Sequence, residues 1–183
     1  YNSSGQSRYR ITTADATNTT KIYAGDIVTQ TTSGIVTRIA RADGGSATSD
    51  IIVGVFNGCF YTDPTTSTPT WSNYWPGNAA TDAIAFIFDH PMDVFEIQAD
   101  AAFPIADLWG NFDLVDNTDT GSTASGLSYV ELDVSTGATT ATLPFKALDI
   151  SGDPDNSDVG SANTNVLVTI QNHLFGQKQV GLA

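Results

Sequence analysis

The sequence predicts an all-β chain, an antiparallel β-sandwich or barrel with an extended N-terminal arm and at most one short helix. Three observations lead there. Of the 20 carboxylates in 183 residues, all but Glu96 and Glu131 are aspartate, and aspartate closes turns by accepting nearby backbone amides, whereas glutamate favours helices. Apolar stretches are short and separated by clusters of Gly, Thr, Ser, Asn and Asp, the spacing of strands joined by turns. No helical stretch alternates with the strand patterns, which disfavours parallel crossovers.

Residues 1–20 are polar, with Tyr1, Tyr9 and Ile11 as their large apolar groups, and are expected to form an arm that is ordered where a surface ties it down. Residues 21–183 are expected to form a single β domain. Lys21–Ala24, Asp26–Thr29 and Gly34–Ile39 have hairpin spacing, punctuated by Gly25-Asp26 and Thr32-Ser33-Gly34. Ile51–Phe56 reads as a strand buried on both faces, with Gly54 and Gly58 marking a bulge or a close backbone approach. The polar stretch from Thr62 to Thr70 is the loop of a long hairpin. Ala83–Phe88 lacks a polar face and reads as a central strand, while Val94–Gln98 alternates, with Phe95 and Ile97 inward. Pro104 suits a first helical position, and Ile105, Leu108, Trp109 and Phe112 fall at helical spacing, so a helix of about two turns is expected there. The remaining inward rows are Val130, Leu132 and Val134; Leu143, Phe145 and Ala147; and Val166, Val168 and Ile170. These patterns amount to eight to ten strands.

The net charge of −13 is unevenly spread. Residues 1–41 hold Arg8, Arg10, Lys21, Arg38 and Arg41 against Asp15 and Asp26, whereas residues 42–183 hold two lysines against 18 carboxylates. An acidic body repels nucleic acid, and the basic leading part is suited to docking on an acidic protein surface. The longest apolar stretch is too short to cross a bilayer, so no membrane partner is expected. The opening residues show no basic region followed by an apolar one, so no secretory signal is expected within them.

Candidate chemistry is sparse. A single cysteine, Cys59, and two histidines, His90 and His173, cannot assemble the usual zinc ligand sets. No Gly-x-Ser-x-Gly elbow, P-loop or dinucleotide loop is present. His90 reads as solvated or capping, as does His173, and Cys59 as a small core residue. Asp153, Asp155 and Asp158 fall in a stretch whose register fails as a calcium loop, because its sixth and twelfth positions are Asp158 and Thr164. A turn built by Asp and Asn side chains is the expectation, with a loose surface cation site at Asp153 and Asp155 as the alternative. No catalytic residue, metal or cofactor is expected, although a pair of facing carboxylates among so many aspartates would suit glycan hydrolysis. Phe60, Tyr61, Trp71, Tyr74 and Trp75 form the strongest local feature. Core or subunit interface is the favoured reading, with a sugar-stacking platform of Trp71, Tyr74 and Trp75 as the alternative.

One resemblance joins these features. The run Ile52–Asp63 followed by Ser72–Pro76, then Phe86–Pro91, Val94–Gln98, Gly121–Ser128, Asp153–Asn156 and Val166–His173, is similar to a family of tailed-bacteriophage virion proteins that look like capsid cement or decoration proteins. The match spans roughly residues 20–175, and the chain departs from the family at Cys59 and in the Thr-rich loop Thr62–Thr70. The resemblance implies a structural, non-enzymatic protein on the outer surface of an icosahedral capsid. Its partners would be the major capsid protein and, in a homotrimer, its own copies, with no nucleic acid or membrane. On that expectation Arg8, Tyr9, Arg10, Arg38 and Arg41 are candidate capsid contacts, and the five aromatics are candidate subunit-interface residues. The alternative is a carbohydrate-binding module of a phage fibre or adhesin.

Overall fold

The computed structural model describes residues 5–39, 51–115 and 121–176. The fold is all-β and antiparallel. Thirteen strands are present among these residues: β1 (Gln6–Arg10), β2 (Ile22–Tyr23), β3 (Ile27–Gln30), β4 (Val36–Arg38), β5 (Ile52–Thr62), β6 (Pro69–Ser72), β7 (Tyr74–Trp75), β8 (Ile84–Phe88), β9 (Val94–Gln98), β10 (Asn111–Leu114), β11 (Leu132–Ala138), β12 (Phe145–Ile150) and β13 (Asn165–Ile170). The excess over eight to ten comes from β1, expected as part of an arm, from β10, expected as part of a helix, and from the separation of β6 from β7.

The described residues gather into two compact units. The first comprises residues 5–39, 52–90 and 121–129; the second comprises residue 51 with 91–115 and 130–176. In the first, a sheet of order β1-β8-β5-β3-β4, with β6 added to β5, accompanies a small β2-β7 sheet. Phe56, Cys59, Ile87 and Ala85 point inward from the large sheet, and the small sheet brings Ile22 and Trp75 to the same core. The leading segment is extended, and the surface that ties it down belongs to its own unit. β1 pairs with β8 from Gln6↔Phe88 to Arg10↔Ile84, and Ile11 is fully buried just beyond it.

Segment 121–129 is bonded back onto β2. The Ala24 N–H donates to the Gly126 carbonyl and the Ser128 N–H to the Ala24 carbonyl, each at 2.9 Å. The Ser128 hydroxyl donates to Asp26, whose other oxygen accepts the Tyr23 N–H at 2.7 Å. Asp26 is fully buried.

The second unit is a five-stranded sheet of order β11-β10-β12-β13-β9. Its core residues include Phe103, Phe112, Leu132, Phe145, Ala147, Val166 and Val168; the rows Leu143-Phe145-Ala147 and Val166-Val168-Ile170 are buried throughout, whereas Val130 and Val134 beside buried Leu132 are only half-buried. β9 is an edge strand, half exposed as its alternation predicts.

The expected two-turn helix is a single 3-10 turn, Ile105–Asp107. Leu108 is already extended, at ψ 140°, and Trp109 adopts φ 70°. Bonds to β12 outweigh the helical ones here: the Trp109 N–H donates to the Ala147 carbonyl and its indole N–H to the Leu148 carbonyl, both at 2.9 Å. Phe112 therefore belongs to β10 and packs on Phe103 at 5.1 Å.

The aspartate bias has the local cause assigned to it. Asp63 accepts the Thr65 and Thr66 N–H groups, Asp133 the Ser135 N–H, Asp153 the Asp155 N–H and Asp158 the Gly160 N–H. Asp63, Asp153 and Asp158 each close their own turn, and Asp133 makes the same local bond within β11. Those bonds, with one from the Ser161 hydroxyl, hold the Asp158 carboxyl below its ordinary range.

Candidate functional site

Strand alternation places one side of the first unit's large sheet against its core and leaves the other open. The residues on the open side form a surface that no single stretch of sequence contains. Arg10 lies opposite Ile84, Ile84 opposite Phe60, and Phe60 opposite Trp71. One transverse row thus runs from a guanidinium to an indole across β1, β8, β5 and β6. A second row starts with Arg8 opposite Phe86, its guanidinium carbon 5.6 Å from the ring centre. Trp71 reaches across to the same ring, with centroids 5.0 Å apart and planes at 59°. The sequence Arg8, Phe86, Trp71 is therefore a cation on an aromatic ring that packs on a second aromatic ring.

A β-bulge makes this possible. Phe56 pairs with Ile87 and Cys59 with Ala85, so Asn57 and Gly58 together oppose the one intervening residue, Phe86. Gly58 has φ 118°, and a Cβ there would sit 2.8 Å from Trp71 Cζ2 and 3.0 Å from the Ser72 carbonyl oxygen. The missing side chain is the space across which the indole reaches Phe86. Gly58→Ala is expected to cost about 1–3 kcal/mol through backbone strain and to lift Trp71 off Phe86. Chemical denaturation and the near-ultraviolet circular dichroism of the aromatic residues check both effects.

Phe60 and Trp71 are about half exposed, at 45% and 51%. Beside them a shallow depression of about 350 Å³ is lined by Arg8, Phe60, Ile84 and Phe86. A polar groove of about 380 Å³ adjoins it, sharing Ile84 and lined also by Arg10, Thr12, Thr13, Asp15, Thr81 and Asp82. The Asp82 carboxylate accepts both the N–H and the hydroxyl of Thr62, which holds its carboxyl below the usual range.

The structure divides the residues singled out in the sequence. Arg8 and Arg10 join Phe60 and Trp71 on one face, so part of the candidate capsid set and part of the candidate interface set occupy one surface. Tyr9 alternates away from that face, and its hydroxyl donates to Asp89 at 2.7 Å; burial and the Asp89 carboxylate push its phenol pKa above the ordinary value. Arg38 is on β4, at the opposite edge of the sheet, where its charge acts on Asp26. Arg41 lies outside the described residues. Tyr61 and Trp75 are core residues, packed edge to face at 5.3 Å, and Tyr74 stacks on Tyr23 at 5.7 Å. With Trp75 fully buried, Trp71, Tyr74 and Trp75 do not form a sugar-stacking platform.

Phe86 and Ile84 escaped the sequence reading because β8 has no polar residue. A strand apolar on both faces implies two covers, and on this face the cover is Trp71 from β6 and Arg8 from β1. The available signal was the shared period of two in Arg8-Tyr9-Arg10 and Ile84-Ala85-Phe86.

The other candidates have local roles. Cys59 is fully buried, its thiol donates to the Tyr74 carbonyl at 3.4 Å, and burial pushes its pKa up to about 12, far from a reactive thiolate. His90 is exposed. His173 is buried and its Nδ1 accepts the Phe175 N–H at 3.1 Å, the capping role read for it. Among the described residues no group of three or more His, Cys, Asp or Glu side chains is placed to hold a metal ion, and no helix is long and apolar enough to cross a membrane. No family model, curated protein or solved structure matches the chain.

Proposed function

We propose that this chain is a structural virion protein of the decoration or cement type, which fastens to the outer surface of an icosahedral bacteriophage capsid as a homotrimer and performs no catalysis. The observation that carries the reading is the open face of Arg8, Arg10, Phe60, Trp71 and Phe86. Tryptophan and arginine are the residues most enriched where protein interfaces concentrate their binding energy, and a hydrogen-bonded antiparallel sheet presents them without ordering a loop on binding. The identity of the partner is inferred from the resemblance of the ordered motifs to tailed-phage virion proteins.

The mechanism is mass action. A protein that binds the assembled shell and not its separated subunits stabilises the assembly by RT ln(1 + [L]/Kd), about 2.7 kcal/mol per site when free protein stands at one hundred times Kd. Summed over many sites, this term opposes disassembly under the pressure of packaged DNA.

Removing residues 1–12 is a poor test, since it would strip an edge strand and the buried Ile11 from the fold. Trp71→Ala is better, because the indole is half exposed and its loss leaves the core intact. Sedimentation with DNA-filled heads of the encoding phage should recover the wild-type protein at high copy number, with at least about tenfold lower occupancy for Trp71→Ala, a loss of about 1.4 kcal/mol. Wild-type protein that stays in the supernatant would refute the reading.

A further inference from the structure

Resting on that adhesive reading, we propose that the Arg–aromatic face receives an acidic protein segment, seating an apolar side chain among Phe60, Ile84 and Phe86 and its carboxylates on Arg8 and Arg10. Charge complementarity is the argument. The chain carries −13, yet this depression is lined by one cation and three apolar residues and by no carboxylate. Arg8 places its guanidinium carbon 5.6 Å from the Phe86 ring centre, and Arg10 lines the adjoining groove together with Asp15 and Asp82. Two guanidinium groups are thus held beside an apolar hollow on an otherwise acidic protein. An acidic partner is repelled by most of this chain and attracted here, so charge selects the docking face as well as adding affinity.

The spacing defines the occupant further. Arg8 and Arg10 are two residues apart on one strand, hence roughly 7 Å apart along it, which matches carboxylates at alternate positions of an extended segment. Each guanidinium can donate two parallel N–H bonds to a carboxylate, which accepts them as a bidentate pair. Arg8 lies over the Phe86 ring through its charge, a contact that does not use up its five N–H donors. The apolar hollow beside the arginines takes a side chain of the leucine or methionine class, with Trp71 and Phe60 as its exposed rim.

The test titrates the full chain into a fluorescein-labelled Glu-Ser-Glu-Ser-Leu peptide, whose carboxylates and leucine share one face when extended, and its Lys-Ser-Lys-Ser-Leu counterpart, read by fluorescence anisotropy at low and high salt. The wild-type protein should prefer the acidic peptide, with affinity that falls as salt rises. The double variant Arg8→Glu/Arg10→Glu should lose about tenfold or more toward the acidic peptide and gain preference for the basic one. Misfolding would not produce that inversion, and an unchanged thermal melt confirms the fold. Indifference of the wild-type protein to peptide charge would overturn the proposal. Concentration-dependent self-association abolished by the double variant would overturn it in favour of a second copy of this chain. Glycan-array binding lost on Trp71→Ala would overturn it in favour of a sugar. Heads that bind the wild-type and double-variant proteins equally would sink this assignment and leave the decoration reading standing. Heads that bind neither, with the peptide preference intact, would sink the decoration reading and uphold the chemistry of the face.

Discussion

Trp75→Ala is expected to remove most of the stability of the first unit, about 3–5 kcal/mol from the lost ring alone. Trp75 has no exposed surface. Its ring meets Tyr61 edge to face at 5.3 Å, and its backbone pairs with Ile22 to join β7 to β2. The indole N–H donates to the Asn18 carbonyl at 2.8 Å, so alanine also leaves a buried carbonyl without its donor, a further penalty of about 1–3 kcal/mol. Against a typical domain stability of about 5–15 kcal/mol, the variant should melt well below the wild type or fail to accumulate. Trp75→Phe keeps an aromatic ring and loses the donor, so it should retain a cooperative transition with a smaller loss. Urea unfolding followed by circular dichroism measures both. A loss below about 1 kcal/mol for Trp75→Ala would mean that Trp75 is not a core residue.

Trp71 and Trp75 stand four residues apart in one aromatic cluster, and composition does not tell them apart. What separates them is pairing. Trp71 on β6 is registered with outward Phe60, whereas Trp75 has passed onto β7 and pairs with buried Ile22. Long-range register decides which tryptophan is exposed and which one packs, and register is set by partners far away in sequence. Features with a local cause were legible: the aspartate turns, the alternation of β13, the hairpin across Thr62–Thr70 and the burial of Cys59. The helix after Pro104 was misread because its apolar spacing was real but its backbone bonds go to β12, more than thirty residues later. The candidate site was half legible for a similar reason. Arg8, Arg10, Phe60 and Trp71 were each noticed, but in separate sets, and only the order β1-β8-β5-β6 makes them neighbours. Ile84 and Phe86, which join them, carried no polar signal at all.

A pH effect of similar size is expected from Asp26. Burial raises its carboxyl pKa from the ordinary 3.8 to about 6, against the opposing influence of the Ser128 hydroxyl, the Tyr23 N–H and the Arg38 charge. The folded chain therefore holds this proton more tightly than the unfolded chain does. The resulting stabilisation is fully present below the unfolded pKa of about 3.9 and is lost as pH rises through about 6. Its full size is about 3 kcal/mol from the displacement of the pKa. Asp82 and Asp158, whose pKa values are lowered, act in the opposite sense and at lower pH, so the wild-type profile mixes both. Asp26→Asn isolates the buried group, because asparagine is permanently neutral and its amide oxygen can still accept from Tyr23. Urea unfolding at pH 4.5 and pH 7 should show a wild-type protein that gains stability on acidification relative to the variant, the difference developing between roughly pH 4 and 6. Parallel profiles for the two proteins would mean that folding does not raise the Asp26 carboxyl above its ordinary range. The clasp of segment 121–129 onto β2 would then rest on a carboxylate ionised throughout that range.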